Sequence, residues 1–391
     1  MVKIPEWWIE TIVESLVNDK ILEKPMDWNH GNLHPKSSDF TESWVPFIMA
    51  SDISNGKVDF KNCYYISEAT NNTLQKWFAK PWDVLLTHKA TIWKVALLWN
   101  EYPSITLTPQ VTYYRVLNHD KLDNKYLYYY FLSPYFQNIF AMWSWAWSTR
   151  AYLWITDQRK LPIILPPLPE QKAIAGVLSA FDDKIELLRA ENQTLEEMGQ
   201  TLFKEWFGKC KVWDELPDGW KVGKITEIIK RESVSYKCDK DDLDKDWTTP
   251  IIDQWTTWLY WYTKREPDFI ASKENPVIVF TNHTCNFWFI DYPFCAIQNV
   301  LPYRWTNWYN ERFLYFMTKW SISFIEYKWH RPNFVAIDFI IPPVDLADKF
   351  WEIAKTILNK ISYNKEEIKK LSETRDQLLP KLMSWEVRVE F

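Results

Sequence analysis

Two stretches of the chain carry the same long helical pattern. In the first, apolar residues fall at Ile174, Leu178, Phe181, Ile185, Leu188, Leu195, Leu202 and Trp206, in steps of four and three, with Asn192 and Gly199 interrupting. Heptad spacing of this kind places them on one face of a helix. The helix is predicted from about Glu170 to Phe207, roughly 55 Å at 1.5 Å per residue. In the second stretch the seam is Phe350, Ala354, Ile357, Ile361, Ile368, Leu371, Leu378 and Leu382, interrupted by Asn364 and Arg375. A single offset relates the two: Ile174 maps onto Phe350, Leu202 onto Leu378, and Pro166-Pro167 onto Pro342-Pro343, each by 176 positions. A Pro-Pro pair suits a helix start, because proline is tolerated in the first turn and stops the strand before it.

One such helix alone would read as a core helix or as half of a homo-oligomeric coiled coil. Two matched copies in one chain favour pairing with each other, antiparallel, as a rigid rod with a globular unit at each end. Asn192 and Asn364 are placed to fix the register, since a buried polar residue at a seam penalises slipped pairings.

The segments outside the helices alternate short apolar runs with turn signals, as strands do. Residues 1–164 open with a short helical stretch at Trp8 to Leu16. Strand-like runs follow at Val45–Met49, Asp83–Thr87 and Gln110–Val116, then a Tyr- and Phe-rich helical hairpin near Asn124 to Phe140. Residues 210–341 repeat the order, with strands at Val277–Phe280 and Asn299–Arg304 and a helix at Asn310 to Thr318. Val111, Tyr114 and Arg115 match Val300, Tyr303 and Arg304 by an offset of 189. The expected fold class is α+β: two α+β units (1–164 and 210–341), and two long helices (within 165–209 and 342–391) forming an antiparallel intramolecular coiled coil, a pseudo-two-fold repeat.

Composition changes this picture in one place. The chain has 26 Trp and only 7 Gly in 391 residues, whereas ordinary chains carry glycine at about 7%. Many of the tryptophans stand where glycine is expected. Trp82 follows Pro81 in a turn, Trp308 follows Asn307, Trp143, Trp145 and Trp147 alternate with small residues, and Trp385 lies just past a helix. Bulky aromatics do not suit left-handed turn positions. Base-stacking platforms are one reading of such tryptophans. The stronger reading is UGA codons, translated as glycine in the source organism and written as tryptophan. Trp206 and Trp220 read as true tryptophans.

The formal net charge is -5, and no segment is basic: residues 1–160 hold 16 basic and 16 acidic side chains, and 210–341 hold 16 and 18. Any affinity for nucleic acid must come from local patches or be shared with a partner. No apolar run reaches the ~18 residues of a membrane span, the N-terminus lacks a signal-peptide apolar region, and five scattered cysteines without a CxxC fit a reducing cytoplasm.

Candidate chemistry is sparse. A loose pattern of Pro267-Asp268 with Glu326-Tyr327-Lys328 would suit a Mg²⁺-dependent nuclease, but its elements are short and its gap is unconstrained. His283, Cys285 and Cys295 could suggest zinc, yet a fourth ligand and CxxC spacing are missing, and buried strand cysteines are the plainer account. No catalytic or metal site is therefore expected, and there is neither an Asn/Asp-Pro-Pro-aromatic motif nor a Gly-rich cofactor loop. Polar and basic loop residues suited to phosphates and base edges are Asn29, His30, Lys36, Lys89, Lys94, Thr149 and Arg150 in the first unit. In the second they are Asn282, His283, Thr284, Lys328, His330, Arg331 and Asn333.

Leu165-Pro166-Pro167-Leu168-Pro169-Glu170-Gln171-Lys172-Ala173-Ile174-Ala175 resembles the central spacer of the specificity subunits of type I restriction-modification enzymes. Leu378 to Val389 resembles their C-terminal end, with Trp385 where glycine is expected. Pro217-Asp218-Gly219-Trp220 resembles the opening of their second target-recognition domain, and Ser148 to Leu153 the loop before the spacer. The resemblance implies a non-catalytic DNA-recognition subunit. Each globular domain would read one half of a split, asymmetric site in double-stranded DNA, and the helices would set the gap. It also implies two methyltransferase subunits and a motor-nuclease subunit as partners, which would carry S-adenosylmethionine, Mg²⁺ and ATP, this chain having no cofactor of its own. A protein-binding coiled-coil scaffold remains the alternative of another class.

Overall fold

The computed structural model describes residues 5–26, 34–89, 91–145, 152–233, 236–238, 240–244, 248–253, 259–282, 284, 286–306, 309, 311–321 and 330–390. The chain forms two compact units, Met1–Ile185 with Lys370–Phe391, and Glu186–Lys369. Both long helices, Leu168–Phe207 and Val344–Met383, contribute a part to each unit.

In the first unit the opening strand Ile9–Ile12 pairs antiparallel with Pro162–Leu165, Ile9 opposite Leu165. The same ladder closes the second unit: Lys221–Lys224 pairs with Asp338–Ile341, Lys221 opposite Ile341. Leu165 and Ile341 are 176 apart, the helix offset again. Each ladder delivers the chain directly into a long helix, and the intervening Pro-Pro ends the strand because proline cannot donate to it.

A second element repeats as well. Val84–Lys89 lies between Val111–Tyr114 and Thr91–Leu97 in a three-stranded sheet. Its counterpart Val277–Thr281 lies between Val300–Trp305 and Phe287–Ile290, with Ile229–Arg231 added outside Val300–Trp305. Val111 stands opposite Thr87 and Tyr114 opposite Val84; Val300 stands opposite Thr281 and Tyr303 opposite Ile278. Helices Asn124–Leu132 and Pro134–Trp145 pack on the first of these sheets and Glu311–Ser321 on the second. The aromatic residues of the predicted hairpin are the core: Tyr126, Tyr130, Phe131, Phe136 and Phe140 are fully buried. Asp123 caps the first of these helices by accepting from the Tyr126 amide, which satisfies one orphan donor of the first turn. A further sheet completes each unit, five-stranded in the first (Phe40–Thr41, Tyr64–Ile66, Val45–Ile48, Ile105–Leu107 and Phe78–Ala79) and three-stranded in the second (Leu259–Thr263, Thr249–Ile252 and Cys295–Ala296).

The long helices pair antiparallel within each unit. In the first, Ile174, Ala175 and Leu178 share a core with Leu379, Leu382 and Met383, and Arg375 forms an ion pair with Asp182. In the second, Phe203 and Phe207 pack against Phe350. Of the predicted seam, Ile174, Leu178, Ile185, Leu188, Phe350, Ala354, Ile357, Ile361 and Leu382 are buried, while Phe181, Leu195, Leu202, Ile368, Leu371 and Leu378 are half-buried. The interruptions have physical reasons. Asn364, fully buried, donates through Nδ2 to Asn192 Oδ1 at 3.0 Å and to Glu191 Oε2 at 2.8 Å. Gly199 lies under the ring of Phe316, where an added Cβ would fall 2.3 Å from the ring edge. Arg375 is a polar cross-link rather than a gap.

Among the described residues, non-glycine residues with positive φ are Lys20, Trp44, Asn55, Trp77, Trp82, Trp93, Asn299 and Trp385. Asparagine tolerates this region; tryptophan does not. Five tryptophans at such positions agree with glycine as the native residue there, including at Trp82 and Trp385, which the sequence pattern had singled out. Trp44 and Trp93 are 65% and 51% exposed, so their rings contribute little that would offset the strain.

Two outcomes follow. In chain synthesised as written, Trp44→Gly and Trp93→Gly each raise stability by about 1 kcal/mol, read as a thermal midpoint roughly 2–4 °C higher, and peptide mass spectrometry of the native protein finds glycine at both positions. Asn364→Ala destabilises by about 1–3 kcal/mol in denaturant titration, and a double-mutant cycle with Asn192→Ala returns a coupling energy clearly above zero.

Candidate nucleic-acid interface

Equivalent positions in the two units carry a pair of threonines next to polar residues picked out by sequence. Thr87 and Thr281, both fully buried, occupy the same place at the end of their central strands. Each hydroxyl oxygen accepts a backbone amide from the far side of the hairpin turn, Lys94 N in the first unit and Asn286 N in the second, both at 3.0 Å. A donor left inside such a turn without a partner would cost about 1–3 kcal/mol, so the threonine fixes where the turn residues emerge.

The next residue does a second job. His88 Nδ1 lies 3.1 Å from the Leu153 carbonyl oxygen. A carbonyl only accepts, so the ring carries its proton on Nδ1. The backbone adds Leu153 N to His88 O at 3.0 Å. In the second unit the corresponding Asn282 accepts from the Arg331 amide through Oδ1 at 3.0 Å. That bond satisfies an orphan N–H in the first turn of the helix His330–Ala336. The hairpin tip is thus tied in the first unit to the segment that precedes the short helix Ile155–Gln158, and in the second to the first turn of the short helix His330–Ala336.

This tie brings predicted residues together. Lys89 is exposed and bridges to Tyr152, its Nζ 5.5 Å from the centre of the Tyr152 ring. In the second unit Asn282 meets Arg331, and the Thr284 hydroxyl lies 2.7 Å from that of Thr281. Arg331 also faces the sheet: burial pushes the Tyr303 hydroxyl pKa up, and the guanidinium beside it acts in the opposite direction. Lys36 and the side chain of Lys94 sit elsewhere. Lys36 is exposed, its amide held by Asp39 Oδ2 at 2.7 Å, and the half-buried Lys94 donates through Nζ to the Ala50 carbonyl at 3.0 Å. Asn29, His30, Thr149, Arg150, His283 and Lys328 lie outside the described residues, as do the side chains of His330 and Asn333.

Sequence reasoning missed Thr87 and Thr281. The signal was present only as a second, different offset (194 rather than 189), because the two turns contain different numbers of residues. It also passed over Glu170 and Gln171 within the Pro-Pro motif. Glu170, 2% exposed, accepts from Trp8 Nε1 at 3.1 Å. The Gln171 amide bonds to Lys121 O and Pro166 O and accepts from the Asp123 amide. These two side chains lock the helix start to its unit. Of the nuclease pattern, Glu326, Tyr327 and Lys328 fall outside the described residues, while Asp268 lies beside Cys238 and Cys295.

Residues 14–197 match the family model described as the type I restriction modification DNA specificity domain. The chain is 27% identical, over 90% of its own length and 90% of the relative's, to the type I restriction enzyme MjaIX specificity subunit of Methanocaldococcus jannaschii. A 47-residue stretch is 45% identical to the HindI specificity subunit of Haemophilus influenzae, covering 12% of this chain and 10% of that one. Among solved structures, the type I restriction-modification S subunit from M. genitalium shares the fold, with a TM-score of 0.55 and 16% identity over 96% of each chain. No helix among the described residues is long and apolar enough to cross a membrane.

Thr87→Val and Thr281→Val are expected to destabilise by about 1–3 kcal/mol each. In hydrogen exchange the Lys94 and Asn286 amides, respectively, lose protection well beyond the loss seen in the rest of the sheet.

Proposed function

We propose that this chain is the DNA-reading subunit of a type I restriction-modification complex, and that each unit reads one half of a split, asymmetric site in double-stranded DNA. The observation that carries this reading is the doubled hairpin tip. Thr87-His88-Lys89 and Thr281-Asn282 occupy the same place in two repeated sheets, the first tied to the segment before a short helix and the second to the first turn of one. Side chains at such tips differ between the units, as they must if each is to read a different half-site. Lys89, Thr149 and Arg150 serve the first half-site; Asn282, His283, Thr284, Lys328, His330, Arg331 and Asn333 serve the second. Asn29, His30, Lys36 and Lys94 join the first set as phosphate or base contacts.

In this reading the paired helices hold the two half-sites at one spacing and present the surface on which two methyltransferase subunits dock. Chemistry belongs to the partners: S-adenosylmethionine to the methyltransferases, Mg²⁺ and ATP to a motor-nuclease subunit. The near-neutral charge of this chain supports the division, because partners can then supply part of the phosphate neutralisation. The domain scheme is two target-recognition domains, 1–164 and 210–341, and two spacer segments, 165–209 and 342–391.

Co-expression of the full chain with a methyltransferase subunit, followed by methylome sequencing, tests the proposal. The expected result is one adenine-methylated motif in two parts separated by a single fixed gap. Exchange of residues 210–341 for those of a relative changes one part only. Purified chain that cuts DNA with Mg²⁺ alone, or methylation without a split motif, overturns the reading.

A further inference from the structure

Outside the hairpin tips, one cluster of chemically potent side chains stands in the second unit. The Sγ atoms of Cys238 and Cys295 and a carboxylate oxygen of Asp268 all lie within 4.8 Å of one another. Both thiols are buried, Cys295 completely and Cys238 to 4% exposure. They come from segments far apart in sequence, and backbone pairing fixes each one. Cys238 bridges in parallel to Ile297, its amide donating to Ala296 O at 3.2 Å. Cys295 lies in the strand Cys295–Ala296, opposite Ile251. Asp268 adjoins the reciprocal pair Phe269 N to Phe294 O and Phe294 N to Phe269 O, at 3.1 and 3.0 Å.

We propose that Cys238, Cys295 and Asp268 form a structural site for a thiophilic divalent cation, of which Zn²⁺ fits best. Two thiolates and one carboxylate are a donor set that zinc accepts, with Zn–S near 2.3 Å and Zn–O near 2.0–2.2 Å. Tetrahedral geometry then puts the ligand atoms about 3.5–3.8 Å apart, so an inward shift of about 1 Å at most closes the present spacing. Softer thiolates discriminate against Mg²⁺ and Ca²⁺, which prefer oxygen alone. Three anionic ligands around a dication leave one negative charge. A cation, Arg265, stands in the segment that carries Asp268, stacked over Tyr236 at 3.5 Å from the ring centre. The protein supplies three ligands, and water can take the fourth position. The ion would pin the Cys238 segment and the Asp268 loop to the strand Cys295–Ala296, around a small apolar cluster of Ile251, Leu243 and Ile297. The inference is independent of which DNA is read.

The test uses the full chain purified without chelator. Elemental analysis is expected to find about one zinc per chain, and Co²⁺ exchanged into the chelated protein gives thiolate-to-cobalt charge-transfer absorption. With Zn²⁺ present, alkylation followed by peptide mass spectrometry finds Cys238 and Cys295 protected among the five cysteines of the chain. After chelation both are modified. Cys238→Ser and Cys295→Ser each abolish the cobalt absorption, and Asp268→Asn weakens Co²⁺ binding at least tenfold while retaining the thiolate bands. The protection experiment needs no variant, so a substitution that fails to fold leaves the test intact. Absence of zinc with no cobalt–thiolate absorption overturns the proposal. So does equal alkylation of Cys238 and Cys295 with and without Zn²⁺, or recovery of the two as a disulfide in protein purified under reducing conditions.

Discussion

Each unit is held closed by one short ladder, the antiparallel pairing of its opening strand with the strand that feeds a long helix. Four residue pairs in each case, Ile9 to Ile12 with Leu165 to Pro162, and Lys221 to Lys224 with Ile341 to Asp338, join chain segments well over a hundred residues apart. The sheets, the aromatic helices and the hairpin tips all lie within these closures. The ladder also sets the direction in which the helix departs. In the first unit Trp8 and Glu170 bond across it, so strand entry and helix start are locked to each other. In the second, Tyr309 donates to the Pro342 carbonyl at 2.9 Å, a different side chain holding the same junction.

Polar groups inside the helix pairing specify position more than they add stability. The bond from the buried Asn364 to the half-buried Asn192 contributes modest net energy, but a slipped register would leave the Asn364 amide without a partner, and that penalty is the larger. The Asp182–Arg375 ion pair is partly exposed and is therefore weaker as a stabiliser. Tyr129 donates to the same carboxylate at 2.6 Å, which ties the helix pair to the aromatic core of the first unit.

The long helices were legible because a heptad seam is a local, periodic signal that survives in a single sequence. The repeat was legible for the same reason: a single offset relates both helices and the Pro-Pro pairs. The hairpin tips were only half legible. Lys89 and Asn282 stood out as polar residues after apolar strands, but nothing local showed that Thr87 and Thr281 anchor the turns, or that His88 and Asn282 reach segments 65 and 49 residues further along. Cys295 was set aside as a strand cysteine, since Cys238 and Asp268 meet it only through sheet pairing. Tryptophan was the clearest case of sequence anticipating geometry. Trp82 and Trp385 were marked by their turn contexts, and both have positive φ; Trp44, Trp77 and Trp93 lacked a Pro or helix-end flag and emerged only from the backbone.

The two units differ in one respect that bears on how the molecule is made. The second unit is a continuous stretch, Glu186–Lys369, whereas the first combines Met1–Ile185 with Lys370–Phe391. Leu379, Leu382 and Met383 belong to the first unit's core, with Trp385 and Val389 packed against it. During synthesis the second unit can therefore close as soon as its own residues have left the ribosome. The earlier-made first unit keeps an apolar flank around Ile174 and Leu178 uncovered until Lys370–Phe391 follow. The end of the chain made first is the end that matures last, and a nascent chain stalled before Lys370 would hold one finished unit and one open core prone to association.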